Sequence, residues 1–326
     1  MKIVRWGIVG CGNVCEVKSG PAFAKVDGSK LVAVMRRDAV KAKDYALRHG
    51  VEQWFTNADD IIFNPDIDAV YIATPPSSHA EYAIKALRAG KAVYVEKPMA
   101  RNYAECQEMI RVAKETNQPL FVAHYRRALP YFLKVKDLVD GKRIGAILAV
   151  NVRFYRGAAH ADRECHSHIW RVDPEVAGGG YLFDLAPHTI DIIEYIAGKI
   201  DDVKGSATNL AGLYAAEDTI TASFRFENGA VGSALWCFVT TNDIRTDTIE
   251  IIGTKGSLTF STFEFTPIVL RAEGREERFA FKNPQHIQQP LIQTIVEELQ
   301  GVGKCPSSPE EGARPSWVMD KILGRI

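Results

Sequence analysis

The first 123 residues alternate short apolar runs with segments of helical periodicity, an order that few folds accommodate. The apolar runs are nearly continuous in valine, isoleucine and alanine, which is typical of strands covered by helices on both faces. These runs occupy residues 3–9, 30–35, 69–73, 92–95 and 120–123. Helical spacing occupies residues 39–49, 80–89 and 103–116. The alternation predicts an α/β architecture that begins with a doubly wound parallel sheet.

From residue 124 onward the pattern changes to successive strands joined by tight turns. Strand-like segments lie at residues 144–155, 203–210, 219–226, 230–238, 248–252 and 257–260. Asn228-Gly229 separates two of them and favours a hairpin, so neighbouring strands are expected to be antiparallel. Helical patterns remain at residues 128–140, 188–196, 290–300 and 316–323. We therefore expect two domains, residues 1–123 and 124–326, the second an α+β domain with a large, open, mostly antiparallel sheet.

Length and charge narrow the classes of function. A chain of 326 residues suits two domains, and its 40 basic residues balance 40 acidic ones. This balance gives no overall attraction to nucleic acid or to an anionic membrane. No stretch of the sequence approaches the roughly 20 apolar residues that span a bilayer, and the N-terminal segment lacks the pattern of a signal peptide. We expect a cytoplasmic protein that binds neither membrane nor nucleic acid.

A glycine-rich turn follows the first predicted strand. Gly10 and Gly12 supply the first two glycines of the G-x-G-x-x-G pattern, and Cys15 stands in the third place. The first glycine permits a tight turn, and the second lets the backbone approach a pyrophosphate at the start of a helix, which Asn13 and Val14 would begin. Such turns also close purely structural strand–helix junctions. The position within an N-terminal βαβ unit favours dinucleotide binding.

The end of the second predicted strand bears on which dinucleotide is bound. An NAD site usually places Asp or Glu there to bind the ribose 2′-hydroxyl. Arg36 takes this position, and Arg37 follows it. Because a guanidinium pairs with the 2′-phosphate of NADP, the sequence favours NADP. Asp38 lies close enough to keep NAD as an alternative, and both arginines also suit a solvated strand end.

Three further segments carry a more specific pattern. They are Thr-Pro-Pro-Ser-Ser-His at residues 74–79, Glu-Lys-Pro at residues 96–98, and Gly-Gly-Gly-Tyr-Leu-Phe-Asp-Leu-Ala-Pro-His-Thr-Ile-Asp at residues 178–191. With the glycine-rich turn, they resemble the glucose–fructose oxidoreductase / inositol dehydrogenase / rhizopine-catabolism (Gfo/Idh/MocA) family over nearly the whole chain. The resemblance implies an NAD(P)-dependent oxidoreductase acting on a CH–OH group of a sugar, inositol or related diol. It also implies a homodimer or homotetramer formed through the open sheet.

The resemblance further implies three catalytic residues. Lys97 would hydrogen-bond the reacting oxygen and the nicotinamide ribose, next to Glu96 at the cofactor. His188 would be the general base for a substrate hydroxyl, since imidazole titrates near neutral pH, and Asp184 would orient the substrate or the imidazole. Asp184 and His188 are four residues apart and share a helix face, although an isolated pair of this kind is usually structural. Pro187 removes a helical donor, so the helix is expected to kink or restart there.

Other residues are implied around the cofactor and the substrate. Thr74, Pro75 and His79 would lie against the dinucleotide, although a histidine at a helix start also suits a packing role. Tyr125 and Arg126 begin the predicted second domain at a position where relatives contact substrate. Arg126 is equally suited to a salt bridge between domains.

The segment before Trp170 holds several potential metal ligands. They are His160, Asp162, Cys165, His166 and His168. Their spacing matches no zinc pattern, so we expect no metal and interpret the segment as a loop over the substrate pocket. Trp170 would stack on a sugar ring or pack in the core. The six cysteines are scattered without a Cys-x-x-Cys pair, which argues against a disulfide framework.

Two other functions remain open at this point. A glycoside hydrolase of the same architecture would retain NAD and release a product sugar without a net change in the cofactor. A dinucleotide-sensing regulatory protein would share the fold without catalysis. Such sensors tend to lose the catalytic lysine and histidine, whereas this chain keeps Lys97 and His188.

Overall fold

The computed structural model describes residues 3–164 and 170–326, and the chain divides into two compact units. The first unit comprises Met1–Leu129 and Pro284–Arg314, and the second comprises Pro130–Asn283 and Pro315–Ile326. The sequence places a single boundary after residue 123, whereas the structure returns Pro284–Arg314 to the first unit. Each unit is therefore formed by two separate stretches of the chain.

The first unit contains a six-stranded sheet in which all neighbouring strands are parallel. In chain order the strands are β1 (Val4–Val9), β2 (Ser29–Met35), β3 (Gln53–Phe55), β4 (Ala69–Ile72), β5 (Ala92–Val95) and β6 (Leu120–Val122). Across the sheet they follow the order β3-β2-β1-β4-β5-β6, so the order reverses between β1 and β4. Ligands of doubly wound sheets bind beyond the carboxyl ends of the strands at such a reversal. The predicted parallel sheet is confirmed.

Helices connect these strands. They are α1 (Asn13–Val17), α2 (Ala22–Lys25), α3 (Ala39–His49), α4 (Asp59–Ile62), α5 (His79–Arg88) and α6 (Tyr103–Thr116), with 3₁₀ turns at Pro76–Ser78 and Tyr125–Ala128. The bounds of α3 agree with the prediction because both of its ends carry capping residues. Asp38 accepts a hydrogen bond from the Lys41 backbone N–H (3.1 Å) at the start, and Gly50 adopts a left-handed conformation (φ 65°) at the end.

The second unit contains an eight-stranded sheet. Its strands are β7 (Ile147–Gly157), β8 (Ile200–Thr208), β9 (Thr219–Phe226), β10 (Val231–Thr240), β11 (Thr246–Gly253), β12 (Gly256–Phe260), β13 (Ile268–Ala272) and β14 (Arg275–Phe279). They follow the order β14-β13-β12-β11-β7-β10-β9-β8. Neighbours are antiparallel except β7 and β10, which run parallel. This confirms the predicted large, mostly antiparallel sheet.

The remaining helices complete both units. They are α7 (Pro130–Asp140), α8 (His160–Arg163), α9 (Pro174–Ala177), α10 (Tyr181–Ala197), α11 (Gln289–Leu299) and α12 (Pro309–Ile322), with 3₁₀ turns at Trp170–Val172 and Asn242–Ile244. Of the kink or restart expected at Pro187, the restart is wrong, because α10 runs through that residue from Tyr181. The kink stays a prediction. Among the helices of the two described ranges, none is both long enough and apolar enough to cross a membrane.

One face of the eight-stranded sheet packs in the core of its unit, and the other is open. Along β9, the residues Ile220, Ala222, Phe224 and Phe226 are buried, whereas those between them are mostly exposed. A strand presents alternate side chains to opposite faces. The open face therefore carries the intervening residues of β9.

Candidate active site

The glycine-rich turn lies at the carboxyl end of β1. Gly10 has a φ of 91°, a conformation that residues with a Cβ atom rarely adopt. A Cβ atom at Gly10 would lie 2.6 Å from Thr74 Cγ2 and 3.0 Å from the Thr74 backbone nitrogen. The absence of a side chain at residue 10 thus allows the turn to contact the segment that follows β4.

The space beside Gly12 is open, whereas the space beside Gly10 is filled by Thr74. A Cβ atom at Gly12 would meet only the Gly10 carbonyl oxygen, at 3.9 Å. Gly12 is the N-cap of α1, whose first residues are Asn13 and Val14. The free backbone N–H groups at a helix start attract a phosphate. Cys15 is fully buried, so a small side chain fills the place of the third glycine.

Arg36 follows β2 and contacts the glycine-rich turn. Its Nη1 donates to the Cys11 carbonyl oxygen at 3.3 Å. The thiol of the same cysteine is largely buried, which raises its pKa to about 11. Arg37 is exposed. The Asp38 carboxylate caps α3 and pairs with Lys41 at 3.4 Å, and the backbone hydrogen bond from Lys41 lowers its pKa. The Arg36 guanidinium therefore contacts the glycine-rich turn, whereas the Asp38 carboxylate contacts the start of α3.

His79 joins the segments that follow β4 and β5. Its Nε2 lies 2.7 Å from the Thr74 carbonyl oxygen, and its Nδ1 lies 3.0 Å from the Pro98 carbonyl oxygen. Burial lowers the pKa of this imidazole, which favours its neutral form. A neutral imidazole has one N–H and donates to one of the two carbonyls. His79 thus packs between these two segments, and its place against the dinucleotide stays a prediction. Pro75 is half-buried beside Thr74.

Lys97 comes two residues after the end of β5. Its side chain is half-buried, and its bond to Pro98 is cis. The backbone N–H of Lys97 donates to Glu96 Oε2 at 3.1 Å. The other oxygen of Glu96 accepts hydrogen bonds from Tyr71 and Gln288 inside the unit. Both carboxylate oxygens of Glu96 are thus used by the protein itself.

In the second unit, α10 carries Asp184 and His188 one turn apart. Asp184 Oδ2 lies 3.3 Å from Arg171 Nε. His188 is buried, and its ring meets the edge of Phe263 with centroids 5.6 Å apart at 80°. This arrangement gives the imidazole an apolar neighbour and the carboxylate a cationic one. Arg171 and Phe263 contact these two predicted site residues, and no sequence pattern singled them out.

Phe263 is held in place by a buried carboxylate. Asp247 accepts hydrogen bonds from the backbone N–H groups of Thr262 (2.9 Å), Phe263 (2.6 Å) and Glu264 (3.0 Å). A carboxylate that binds successive N–H groups fixes the turn that contains them. No sequence pattern marks Asp247, because its partners lie 15 to 17 residues later in the chain.

The triple glycine before α10 has an explanation within its own unit. A Cβ atom at Gly179 would lie 2.3 Å from the Phe183 ring, and one at Gly180 would lie 2.7 Å from the Ala216 Cβ. Gly178 ends α9 with a φ of 89°. The sequence suggests that this backbone passes close to cofactor or substrate. The structure shows packing and capping roles for the glycines, and the closeness to cofactor or substrate stays a prediction.

The remaining predicted substrate residues are divided between the units. Tyr125 and Arg126 are buried in the first unit, with the guanidinium carbon of Arg126 5.0 Å from the centre of the Tyr125 ring. The sequence suggests that these two residues begin the second domain, whereas the structure places them in the first unit. Trp170 is half-buried, and the guanidinium carbon of Arg171 lies 4.4 Å from its ring centre.

The predicted loop of potential metal ligands is described only in part. His160 is exposed on α8, and Asp162 accepts a hydrogen bond from the Tyr181 hydroxyl at 2.6 Å. Cys165, His166 and His168 lie outside the described residues. Within residues 3–164 and 170–326, no group of His, Cys, Asp and Glu side chains is arranged to hold a metal ion.

Comparison with known proteins agrees with this geometry. Residues 4–124 match the oxidoreductase family with an NAD-binding Rossmann fold, and residues 132–259 match the Gfo/Idh/MocA C-terminal domain. Oxidoreductase P35 of Formosa agariphila is 40% identical and covers 98% of both chains. The scyllo-inositol 2-dehydrogenase (NAD(+)) of Bacillus subtilis is 30% identical over 93% of this chain and 86% of its own. A levoglucosan dehydrogenase, solved with NADH and levoglucosan, has a TM-score of 0.88, 25% identity and coverage of 99% and 97%.

The Rossmann sheet with its glycine-rich turn, followed by the open sheet, defines an oxidoreductase that uses a nicotinamide dinucleotide. The chain belongs to the Gfo/Idh/MocA oxidoreductase family. The predicted family, fold class and enzyme class are confirmed.

Proposed function

We propose that this enzyme transfers a hydride reversibly between its nicotinamide cofactor and a secondary CH–OH carbon of a sugar, inositol or related diol. The observation that carries the proposal is Lys97, directly beyond β5 in the same unit as the glycine-rich turn. The names of two relatives, which refer to levoglucosan and scyllo-inositol, support this class of substrate.

The first unit has the features that a dinucleotide requires. The open space at Gly12 and the N–H groups of Asn13 and Val14 would hold the pyrophosphate. Thr74 and Pro75 would lie against the dinucleotide farther along the carboxyl edge of the sheet. When bound, the nicotinamide supplies the hydride acceptor for oxidation and the hydride donor for reduction.

We assign the chemistry of the substrate oxygen to Lys97 and His188. The Lys97 ammonium would donate a hydrogen bond to the reacting oxygen and hold the CH–OH carbon in place. His188 would accept the hydroxyl proton during oxidation and return it during reduction. Asp184, paired with Arg171, would orient the substrate. Positioning of the reacting groups would account for much of the rate enhancement.

For the cofactor, we propose that NADP is preferred over NAD. Arg36 adjoins the glycine-rich turn at the end of β2, where the adenosine ribose lies in this kind of fold. Its guanidinium suits a 2′-phosphate, whereas Asp38 is engaged as the cap of α3. Asp38 remains the residue through which NAD would be accepted.

Replacing Arg36 with alanine is expected to lower the ratio of kcat/KM with NADP to kcat/KM with NAD by roughly 10- to 100-fold, since a charge-assisted pair with the phosphate is lost. Steady-state kinetics with both cofactors measures this ratio. Arg88→Ala is the matched control, because Arg88 is exposed at the C-terminal end of α5 and its loss removes the same charge. An unchanged ratio in Arg36→Ala would refute the NADP assignment.

The proposed reaction is tested with a panel of sugars, anhydrosugars and inositols, each supplied with NAD or NADP. We expect stoichiometric formation of the reduced cofactor, read by its absorbance, together with a keto product identified by mass spectrometry. Release of a sugar from a glycoside without net cofactor reduction would contradict the proposal and point to a hydrolase. Cofactor binding without turnover of any compound would point to a sensor.

We also propose that two or four copies assemble through the open face of the eight-stranded sheet. The intervening residues of β9 on that face are mostly exposed within one chain. An open face formed by eight strands is suited to an isologous contact between identical subunits.

A further inference from the structure

Glu96 is a buried carboxylate with three hydrogen-bond donors. Oε1 accepts from the Tyr71 hydroxyl at 2.7 Å and from Gln288 Nε2 at 2.6 Å. Oε2 accepts from the backbone N–H of Lys97 at 3.1 Å. Three donors from different parts of the chain thus hold this carboxylate in one position. The last of these bonds ties the position of Glu96 to the backbone of Lys97.

Gln288 reaches Glu96 from the returning segment of the chain. Its side chain is fully buried, and its Oε1 accepts from the Tyr94 hydroxyl at 2.8 Å. Because the Tyr94 hydroxyl donates to the amide oxygen of Gln288, the amide nitrogen faces Glu96. The backbone N–H of Gln288 also donates to the Lys18 carbonyl oxygen at 3.1 Å. The amide is thus held at both of its polar atoms and at its backbone.

The same group of buried residues extends towards the helix that follows the glycine-rich turn. Ser19 Oγ lies 3.1 Å from the Tyr71 hydroxyl. Burial, and next the charge of Glu96, raises the pKa values of Tyr71 and Tyr94, so both phenols remain donors. The charge of Glu96 also acts on Cys15 and His79. Ser19, Tyr71, Glu96, Gln288 and Tyr94 form one hydrogen-bonded cluster within the first unit.

We propose that Gln288 is a positioning residue for Lys97. It acts through Glu96, whose carboxylate it holds in place together with Tyr71, and Glu96 in turn fixes the backbone at Lys97. This inference rests on the proposed role of Lys97 but adds a residue that lies 192 positions from Glu96 in the sequence. Gln288 touches neither the substrate nor the cofactor in this role.

Two substitutions of Gln288 test whether it positions Lys97 or only fills space in the core. Gln288→Met keeps the length of the side chain and removes its donor. Gln288→Glu places a second carboxyl group against Glu96. At high pH the two carboxylates repel, whereas at low pH they share one proton, which restores a donor to Glu96. The titratable groups around this pair are Tyr71, Tyr94, Cys15 and His79, as given above.

The readout is the ¹³C resonance of Lys97 after reductive methylation, assigned by its absence in Lys97→Arg. In Gln288→Met we expect a displaced resonance at every pH. In Gln288→Glu we expect a displaced resonance at high pH that returns towards the wild-type position on acidification. Gln285→Glu is the matched control, because Gln285 is an exposed residue of the same segment. It should reproduce the wild-type titration.

Turnover provides the second readout, on variants whose circular dichroism and melting behaviour establish that they are folded. A displaced Lys97 is expected to lower kcat by about 10- to 100-fold relative to the wild type at the same pH. This ratio should recover at low pH only in Gln288→Glu. A wild-type Lys97 resonance in folded Gln288→Met would overturn the inference. If the wild type oxidises no compound of the panel while the Lys97 resonance responds as described, the proposed function fails and the positioning role stands.

Discussion

Lys97→Met is expected to lower kcat/KM for the best sugar substrate about 1000-fold, while the affinity for the dinucleotide changes by less than about tenfold. The methionine side chain occupies a similar volume but offers no hydrogen-bond donor to the reacting oxygen. The charge that develops on that oxygen would then lose its partner in the transition state, which lowers kcat rather than cofactor binding. Stopped-flow absorbance of the reduced cofactor and a fluorescence titration measure the two quantities separately.

Lys91→Met is the matched control for this experiment. Lys91 precedes β5, at the opposite end of the strand from Lys97, and donates to the carbonyl oxygens of Asn64 and Ile67. Its loss is expected to lower the melting temperature and to leave kcat within about twofold of the wild type, because the reacting groups lie beyond the carboxyl ends of the strands. Folded Lys97→Met with more than about a tenth of wild-type kcat/KM would remove Lys97 from the chemistry.

Much of the first unit could be predicted from the sequence because its determinants are local. The continuous apolar runs of β1, β2, β4 and β5 are characteristic of buried parallel strands. The ends of α3 and α6 are marked by their own caps, as with Asn102, which accepts a hydrogen bond from the Glu105 backbone N–H at 2.9 Å. The conformation of Gly10 follows from the tight turn that its motif requires.

Strands and helix ends that depend on contacts with distant parts of the chain were not predicted. β3 has only three residues, and β14 is built mainly from charged, exposed residues that carry no apolar periodicity. The two strands β13 and β14 are joined by a tight turn at Glu273-Gly274, and neither strand was predicted. The start of α10 was missed because Pro187 suggested a break, whereas the helix runs through this interior proline, which removes one backbone donor.

The same distinction holds for the candidate site. Glycine-rich turns and strand ends point to Gly12, Arg36 and Lys97, because parallel strands present their carboxyl ends at one edge of a sheet. Nothing local distinguishes Gln288 from the neighbouring glutamines of its segment, and its role depends on the return of that segment to the first unit. Arg171 was likewise hidden, because its partner Asp184 is thirteen positions away and on a different element.

His188→Gln is expected to lower kcat/KM for sugar oxidation by about 10²- to 10⁴-fold, since the amide does not accept the hydroxyl proton. The pH profile gives the more specific test. In the wild type, kcat/KM should rise from acidic to neutral pH as the imidazole loses its proton and becomes able to act as a base, and His188→Gln should lose this rise.

His160→Gln is the control for that profile, because the His160 side chain is 88% exposed and pairs only with Glu164 among the ion pairs of the described residues. A double-mutant cycle then asks whether His188 and Lys97 act on the same oxygen. If they do, the combined loss in Lys97→Met/His188→Gln should be far smaller than the product of the single losses, since removing either residue already disables the proton transfer that both serve. Fully multiplicative losses would mean that the two side chains act independently, and the proposed joint mechanism would have to be abandoned.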